Sequence, residues 1–264
     1  EKRQSLWQNR LDFETKKNRW YMEPFLEQEA EDIVKDLTNY TNQNMQMKLR
    51  MQKGEKDEVL AAFTAEVNEV ATLSDLIRSL GCKDLQPRHW KKIFAEIDST
   101  YMETSTLTLQ KMLEDGALEH QEFISEVAGT SKGEADINNQ MDEIIARWNE
   151  FEFVLKNYRD TKDRFILTEV EEVITGLEDD IMQVSAMMGS RYVTEIRDKV
   201  EEWERKLGYL SDTIDEWMTF QRQWIYLENI FNAEDIQQQL KAETKQFQQV
   251  DKFWKDHMGK CKKE

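Results

Sequence analysis

The sequence contains few of the residues that make turns. Its 264 residues include 2 prolines and 9 glycines, a small number for a chain longer than one average domain. A fold of many short strands needs frequent turns, and proline and glycine are common at those positions. Their scarcity therefore argues against such a fold and favours long helices.

Cysteine and long apolar runs are also scarce. The 2 cysteines, Cys82 and Cys261, lie far apart and have the spacing of neither a disulfide framework nor a metal site, which fits a reducing compartment. No run of about 18 apolar residues is present, and residues 1–25 lack the apolar segment of a signal peptide. We therefore expect a soluble, cytoplasmic segment that begins inside a longer protein.

Basic charge is in deficit. The formal net charge is −17, and lysine and arginine are interspersed with the acids instead of forming basic blocks. Nucleic acid and anionic membranes are therefore poor partners. The negative charge also disfavours binding to acidic protein surfaces. Tubulin has such a surface, so we expect no direct contact with a microtubule.

What the sequence does contain is large apolar side chains in a highly charged background. Hydrophobic residues make up 39% and charged residues 34%, with 8 Trp and 12 Phe. A thin core with much charged surface suits an elongated body, since elongation raises surface relative to volume. The predicted fold class is all-α, an elongated array of packed helical bundles.

Apolar residues at spacings of three and four predict helices along the first hundred residues. The N-terminal stretch is predicted to be helical with a break at Pro24, and a polar linker surrounds Gly54. One amphipathic helix is predicted over residues 59–80 and ends at Gly81. A new helix begins near Pro87, because a helix start tolerates proline.

The middle of the chain predicts shorter helices and one hairpin. One or two helices are expected over residues 106–128, and residues 129–133 are predicted as a loop from their composition. Ser131 with Glu134 resembles a capping box for the helix that follows. Alternation of apolar and polar residues over 153–167 predicts a short β-hairpin.

The C-terminal part predicts three helices. The first opens at a possible capping box of Thr168 and Glu171 and closes at Gly189. The second has twelve positions, ten of them apolar, at alternating spacings of three and four: Val193, Ile196, Val200, Trp203, Leu207, Leu210, Ile214, Trp217, Gln221, Trp224, Glu228 and Phe231. Unbroken, it is roughly 60 Å long, and Gly208 is the one place where a kink is expected. A turn over 232–235 leads into the last helix.

Residues spread over most of the chain resemble the linker segment of dynein heavy chains. The resemblance covers about residues 57–259 and includes the tripeptide Arg88-His89-Trp90. The C-terminal positions that carry it are Trp203-Glu204-Arg205-Lys206-Leu207, Trp217, Gln221, Trp224, Tyr226-Leu227-Glu228, Ile230-Phe231, Asp235-Ile236, Phe247, Val250 and Trp254. The stretches 188–193 and 250–252 favour the axonemal branch. One departure is Lys241, where the family is expected to have proline.

The resemblance implies a non-catalytic mechanical linker, a lever that lies across a ring of six AAA+ modules. Its bending and straightening are expected to couple nucleotide-driven changes in the ring to displacement of the tail along microtubules. The implied partners are the AAA+ ring and the tail of the same heavy chain, and the implied location is the cytoskeleton of a cilium or flagellum axoneme. Residues 1–56 then lead from the tail, residues 57–259 form the linker arm, and residues 260–264 are its basic end.

No residue pattern indicates chemistry in this segment. The glycines at 129–133 lack the G-K-[ST] end of a phosphate-binding loop. The three histidines, His89, His120 and His257, have no partner ligands at metal spacing. Carboxylate clusters such as 178–180 are expected on the solvent faces of so acidic a chain. We predict no catalytic, cofactor-binding or metal-binding residue here, whereas the parent motor is expected to be a microtubule-dependent ATPase.

The tripeptide Arg88-His89-Trp90 is predicted to serve packing. At a helix start Trp90 belongs in the core, and Arg88 and His89 either cap the helix or contact a neighbouring element. A contact with a partner protein is the alternative interpretation.

The stripe on the long helix is likewise predicted to be core before it is a binding surface. Heptad-spaced aromatic residues such as Trp203, Trp217 and Trp224 are what a long packed helix needs. Gln221 and Glu228 interrupt the stripe, and their polar groups need partners if buried. They therefore mark either an edge of the core or an inter-helix hydrogen bond.

Two other functions remain open. A spectrin-like helical scaffold is favoured by Trp148 and Trp254, which are 106 residues apart in the sequence. A true repeat should align further, but Ile137 falls opposite Glu243 and the predicted hairpin has no counterpart. An enzyme is the third possibility, with only diffuse carboxylates to support it.

Overall fold

The computed structural model describes residues 2–50, 57–99 and 104–263, which form α-helices and one two-stranded antiparallel sheet. The predicted all-α class with a short hairpin is confirmed. None of the described helices is long and apolar enough to span a membrane. The elements in chain order are α1 (Lys2–Met22), α2 (Ala30–Leu49), α3 (Glu58–Ala71), α4 (Ser74–Leu80), α5 (Pro87–Glu96), α6 (Leu109–Glu114), α7 (Gln121–Asn149), β1 (Val154–Asn157), β2 (Phe165–Thr168), α8 (Val170–Met188), α9 (Arg197–Phe231), α10 (Glu234–Gln239) and α11 (Lys241–Cys261).

The chain divides into two compact units, residues 1–136 and residues 137–264. The predicted boundary after residue 56 separates tail from arm by function and stays a prediction. Within the first unit, α2 packs against α3. The polar linker predicted around Gly54 lies outside the described residues.

The first unit is centred on aromatic side chains from three helices. Phe13 of α1 meets Tyr40 of α2 and Phe63 of α3 edge to face, with ring centroids 5.2 and 5.5 Å away. Leu6, Phe13 and Trp20 are all buried, and they follow one another at seven-residue spacing. This spacing keeps one stripe of α1 on the core along the whole helix.

The predicted break at Pro24 is confirmed. Phe25, just beyond it, is buried, and its backbone N–H donates to the carbonyl of Leu107 at 2.6 Å. This bond ties the turn after α1 to the segment before α6. Trp7 and Leu11, which the sequence grouped with the apolar residues of this helix, are exposed instead.

The second unit is organised around α9. The helix α8 packs along it, and β2 and α11 also contact it. In the hairpin, Val154 lies opposite Thr168 and Asn157 opposite Phe165, so the strands fall where the alternating pattern predicted them.

The helix predicted over residues 59–80 is two helices. It is interrupted after α3, where the Thr72 hydroxyl donates to the carbonyl of Glu69 at 2.6 Å and the Ser74 hydroxyl to that of Ala71 at 2.7 Å. Such local bonds compete with the helical ladder. The apolar spacing continues across the break, so periodicity could not show it. Gly81 ends α4 as predicted.

The loop predicted at residues 129–133 is wrong, because these residues lie inside α7. Gly129 has none of the positive φ that a loop glycine often adopts, unlike Gly116 with a φ of 84°. The capping box predicted there is also wrong. Ser131 is buried and its hydroxyl donates back to the carbonyl of Ala128 at 2.8 Å. Packing of the flanking helical turns therefore overrides the weak helix propensity of this stretch.

Three boundaries in the second unit also differ. The residue before α8 is Glu169, with a φ of 61°, while the Thr168 hydroxyl donates to the carbonyl of Val154, so no capping box forms. The helix α9 begins at Arg197, after a short 3-10 turn, and not at Val193. The single helix predicted at the C-terminus is divided at Leu240, whose φ and ψ of −115° and 60° are not helical.

We expect Gly81→Ala to destabilise the first unit by about 1–3 kcal/mol through overpacking. A Cβ at this position would lie 2.3 Å from the Cβ of Ala30 and 3.1 Å from the carbonyl oxygen of Ile77. Urea unfolding followed by circular dichroism measures the loss.

The matched control is Gly129→Ala, where a Cβ would meet nothing within 4 Å. Because α7 is helical there, alanine should raise stability by up to about 1 kcal/mol. A destabilisation at Gly129 that equals the loss at Gly81 would contradict both placements.

Candidate functional site

The long helix α9 has a buried stripe at seven-residue spacing, and Trp224 is buried beside it. The residues of the stripe are Val200, Leu207, Ile214, Gln221 and Glu228, and the buried Val193 continues their spacing before the helix begins. Trp203 and Trp217 are half-buried beside this stripe and pack against the same core. Gly208 does not interrupt α9, which is continuous over 35 residues.

The side chain of Gln221 attaches the hairpin to this helix. Its amide oxygen accepts from the backbone N–H of Leu167 at 2.7 Å, and its amide nitrogen donates to the carbonyl of the same residue at 2.9 Å. An amide that uses both groups in this way occupies the place of a neighbouring strand beside β2. The partner that the sequence left open is therefore the backbone of the hairpin, and not another helix.

One helical heptad further on, Glu228 holds the end of the hairpin. Its carboxylate is 2.5 Å from the guanidinium of Arg164 and 3.4 Å from that of Arg159. It also accepts from the Tyr158 hydroxyl at 3.4 Å. Burial raises the pKa of Tyr158, and the charge of Glu228 raises it further. This buried carboxylate is thus neutralised by cations from the hairpin.

Aromatic stacking joins α11 to α9. The Trp254 ring lies 5.4 Å from that of Trp224 and 5.3 Å from that of Phe220, with interplanar angles near 25°. Phe231 stacks on Phe247 at 5.2 Å in the same manner. The departure at Lys241 is accommodated, because this residue opens α11 at a position that also tolerates proline.

In the first unit, the tripeptide Arg88-His89-Trp90 opens α5. Trp90 is buried, and the imidazole Nδ1 of His89 accepts from the backbone N–H of Gln86 at 3.0 Å. On the other side of the ring, Nε2 lies 3.0 Å from the carboxylate of Glu134 on α7, and Arg88 reaches the same carboxylate at 2.6 Å. The tripeptide therefore both caps its helix and contacts a neighbouring one.

Several partners in these contacts were not foreseen. The sequence assigned Glu134 to a helix cap, but its carboxylate contacts the guanidinium of Arg88 and the imidazole of His89, both on α5. Asp180 was assigned to a solvent face, but it is buried and accepts from Arg147 at 2.6 Å and from the Trp148 indole at 2.7 Å. The only signal in the sequence was an acid on the apolar side of a helix, which periodicity alone does not match to a partner.

The contacts described above join the elements of each unit to one another. Among the residues that the structure describes, no group of three or more His, Cys, Asp and Glu side chains is placed to hold a metal ion. Among the buried polar groups, Gln221 bonds the backbone of Leu167 and Glu228 lies against Arg164 and Arg159. These groups hold the hairpin at a set position along α9, while aromatic stacking holds α11 there.

The chain belongs to the dynein heavy chain family. Over residues 1–264 it matches the family described as Dynein heavy chain, N-terminal region 2. This confirms the family that the C-terminal tryptophans and the tripeptide in α5 predicted.

Individual relatives are axonemal heavy chains. The chain is 31% identical over 260 residues to human dynein axonemal heavy chain 6, covering 98% of this chain and 6% of that protein. It is 30% identical over 258 residues to rat dynein axonemal heavy chain 12, covering 96% and 8%. With mouse dynein axonemal heavy chain 12 the identity is 39% over 183 residues, covering 68% and 6%. The chain therefore spans less than a tenth of the length of these relatives.

We expect Gln221→Leu to destabilise the second unit by about 1–3 kcal/mol, because it leaves the buried N–H and carbonyl of Leu167 without partners. Hydrogen exchange localises the effect, since the amide of Leu167 should lose protection. The control is Gln223→Leu on the exposed side of α9, which should change stability by less than about 0.5 kcal/mol. Unchanged protection at Leu167 would show that the amide does not hold the strand.

The stability of the first unit should depend on pH through His89. Burial lowers the pKa of His89 below its ordinary 6.5, against the opposing attraction of Glu134. As the pH falls, His89 is therefore protonated in the unfolded chain before it is protonated in the folded chain. The free energy of unfolding should decrease as the pH drops below about 6.5, and His89 should not affect it above that pH.

The variant His89→Asn keeps an acceptor for the Gln86 N–H but cannot titrate. Subtracting its stability from that of the parent chain at each pH removes the contribution of the carboxylates. A difference that stays flat between pH 7 and pH 5 would mean that His89 is not buried in its neutral form.

Proposed function

We propose that this chain is the mechanical linker, or lever, of an axonemal dynein motor. It couples nucleotide-driven changes in the AAA+ ring of the same heavy chain to displacement of the tail along microtubules. In this proposal the segment has no catalytic activity, and the ATPase belongs to other parts of the heavy chain. Its place is the cytoskeleton of a cilium or flagellum.

The observation that supports the proposal most is the continuity of α9. At 1.5 Å per residue, its 35 residues span about 52 Å without a break. A helix of this length resists bending when neighbours support it on its sides, since close-packed interiors transmit strain. The half-buried glycine at position 208 leaves the hydrogen-bonded ladder intact.

The supports along α9 are a second observation. The helix α8 packs on it, the hairpin is attached at Gln221 and Glu228, and α11 stacks on Trp224. Sliding of the hairpin by one residue would break the bonds to Leu167 and expose the charge of Glu228. Polar contacts of this kind penalise slippage more sharply than apolar contacts alone.

A passive helical scaffold is the competing function. The two functions differ in whether movement requires a stiff α9, because a lever must transmit displacement and a scaffold need not. We expect an insertion of about seven glycine and serine residues, two helical turns, after Gly208 in the full-length heavy chain to reduce microtubule gliding velocity severely. Microtubule binding and measurable ATPase activity should remain. The reason is that a flexible segment samples many end-to-end distances and so transmits displacement poorly.

The matched control is an insertion of the same length at the same place, made of alanine, glutamate and lysine. It keeps the heptad phase nearly unchanged and continues the helix, so it should retain far more velocity than the flexible insertion. A further control places the flexible residues after Lys162, in the exposed tip of the hairpin, where extra length is tolerated. If a folded protein with the flexible insertion glides at normal speed, the chain is a scaffold and not a lever.

A further inference from the structure

A groove of about 320 Å³ lies in the second unit, away from the stripe of α9. Its walls come from the end of α7, from the start of β1 and from the first turns of α8. Apolar side chains line much of it, among them Trp148, Phe151 and Val173. Its volume is at the lower end of the range of ligand pockets, about 300–1,000 Å³, which suits one side chain better than a cofactor.

Two features of the sequence create the groove. Asp180 is buried and accepts from the Trp148 indole at 2.7 Å, which holds the ring at the groove wall. One turn earlier on α8, Gly176 contributes no side chain, and a Cβ there would meet nothing within 4 Å. The groove is therefore open because of a glycine and kept in shape by a buried hydrogen bond.

The charges around the groove are acidic and partly unpaired. Arg147 is bound to Asp180, and Glu169 is bound to Lys156 at 2.5 Å. Glu152 and Glu172 also line the groove, and neither has an ion-pair partner within the described ranges. An aromatic wall beside two free carboxylates attracts a cation by both the ring quadrupole and the charge.

We propose that this groove binds an arginine side chain presented by another polypeptide. The guanidinium is planar, stacks on aromatic rings and bonds carboxylates in a fork, whereas the lysine ammonium is a strongly hydrated point charge. The net charge of −17 favours approach of a basic protein segment. This docking site does not depend on the lever function, and either can fail without the other.

The test uses the 264-residue chain and the probe acetyl-Ala-Ala-Arg-Ala-Ala-amide. Binding is followed by the NMR shift of the Trp148 indole N–H, assigned with Trp148→Phe. The same peptide with citrulline has the same shape without the charge, and it should bind about tenfold more weakly. Gly176→Phe should abolish the response, because its ring fills the groove without removing an existing contact.

Variants of the groove carboxylates, with a matched control, distinguish a loss of charge from a loss of folding. The double variant with Glu152→Gln and Glu172→Gln should weaken binding of the arginine peptide about tenfold. The control is Glu178→Gln, an exposed acid on α8 that does not line the groove, and it should leave binding unchanged. Circular dichroism checks that each variant is folded. Equal binding of the arginine and citrulline peptides, or unaltered binding in folded Gly176→Phe, would overturn the proposal.

Discussion

Much of the second unit depends on a buried amide. Gln221 sits in the middle of the apolar stripe of α9 and bonds both backbone groups of Leu167, so it gives β2 the neighbour that a two-stranded sheet lacks on that side. A small hairpin alone is at best marginally stable in water. Attachment to a long helix supplies the missing partner, and in return the hairpin covers the stripe of that helix.

Charge then determines the register of this contact. Glu228, seven residues after Gln221, is buried among Arg164, Arg159 and Tyr158 of the hairpin. A buried carboxylate without such partners costs several kcal/mol, on the order of 3–5 when one partner of a pair is removed. Apolar surfaces alone would allow neighbouring registers of similar energy. The two polar positions therefore select one register.

Prediction succeeded where the determining forces are local and failed where they are not. The break at Pro24 and the end of α4 at Gly81 follow from single residues, and the hairpin from alternation over a few positions. Residues 129–133 have loop composition, yet they are helical because the turns on both sides pack. In the site, the polar residues Gln221 and Glu228 within the apolar stripe raised the question of a partner, but the partners are more than fifty residues away in the chain.

The sequence by itself determined the all-α class, the family and the long apolar stripe that ends at Phe231. These are properties of periodicity and of side-chain type, which act within a few helical turns. Only the tertiary structure decided that Asp180 turns inward to Arg147 and Trp148, that Glu134 serves α5, and that the stripe receives a hairpin. A buried charge or amide is stable only beside a specific group, and which group that is depends on how distant segments meet.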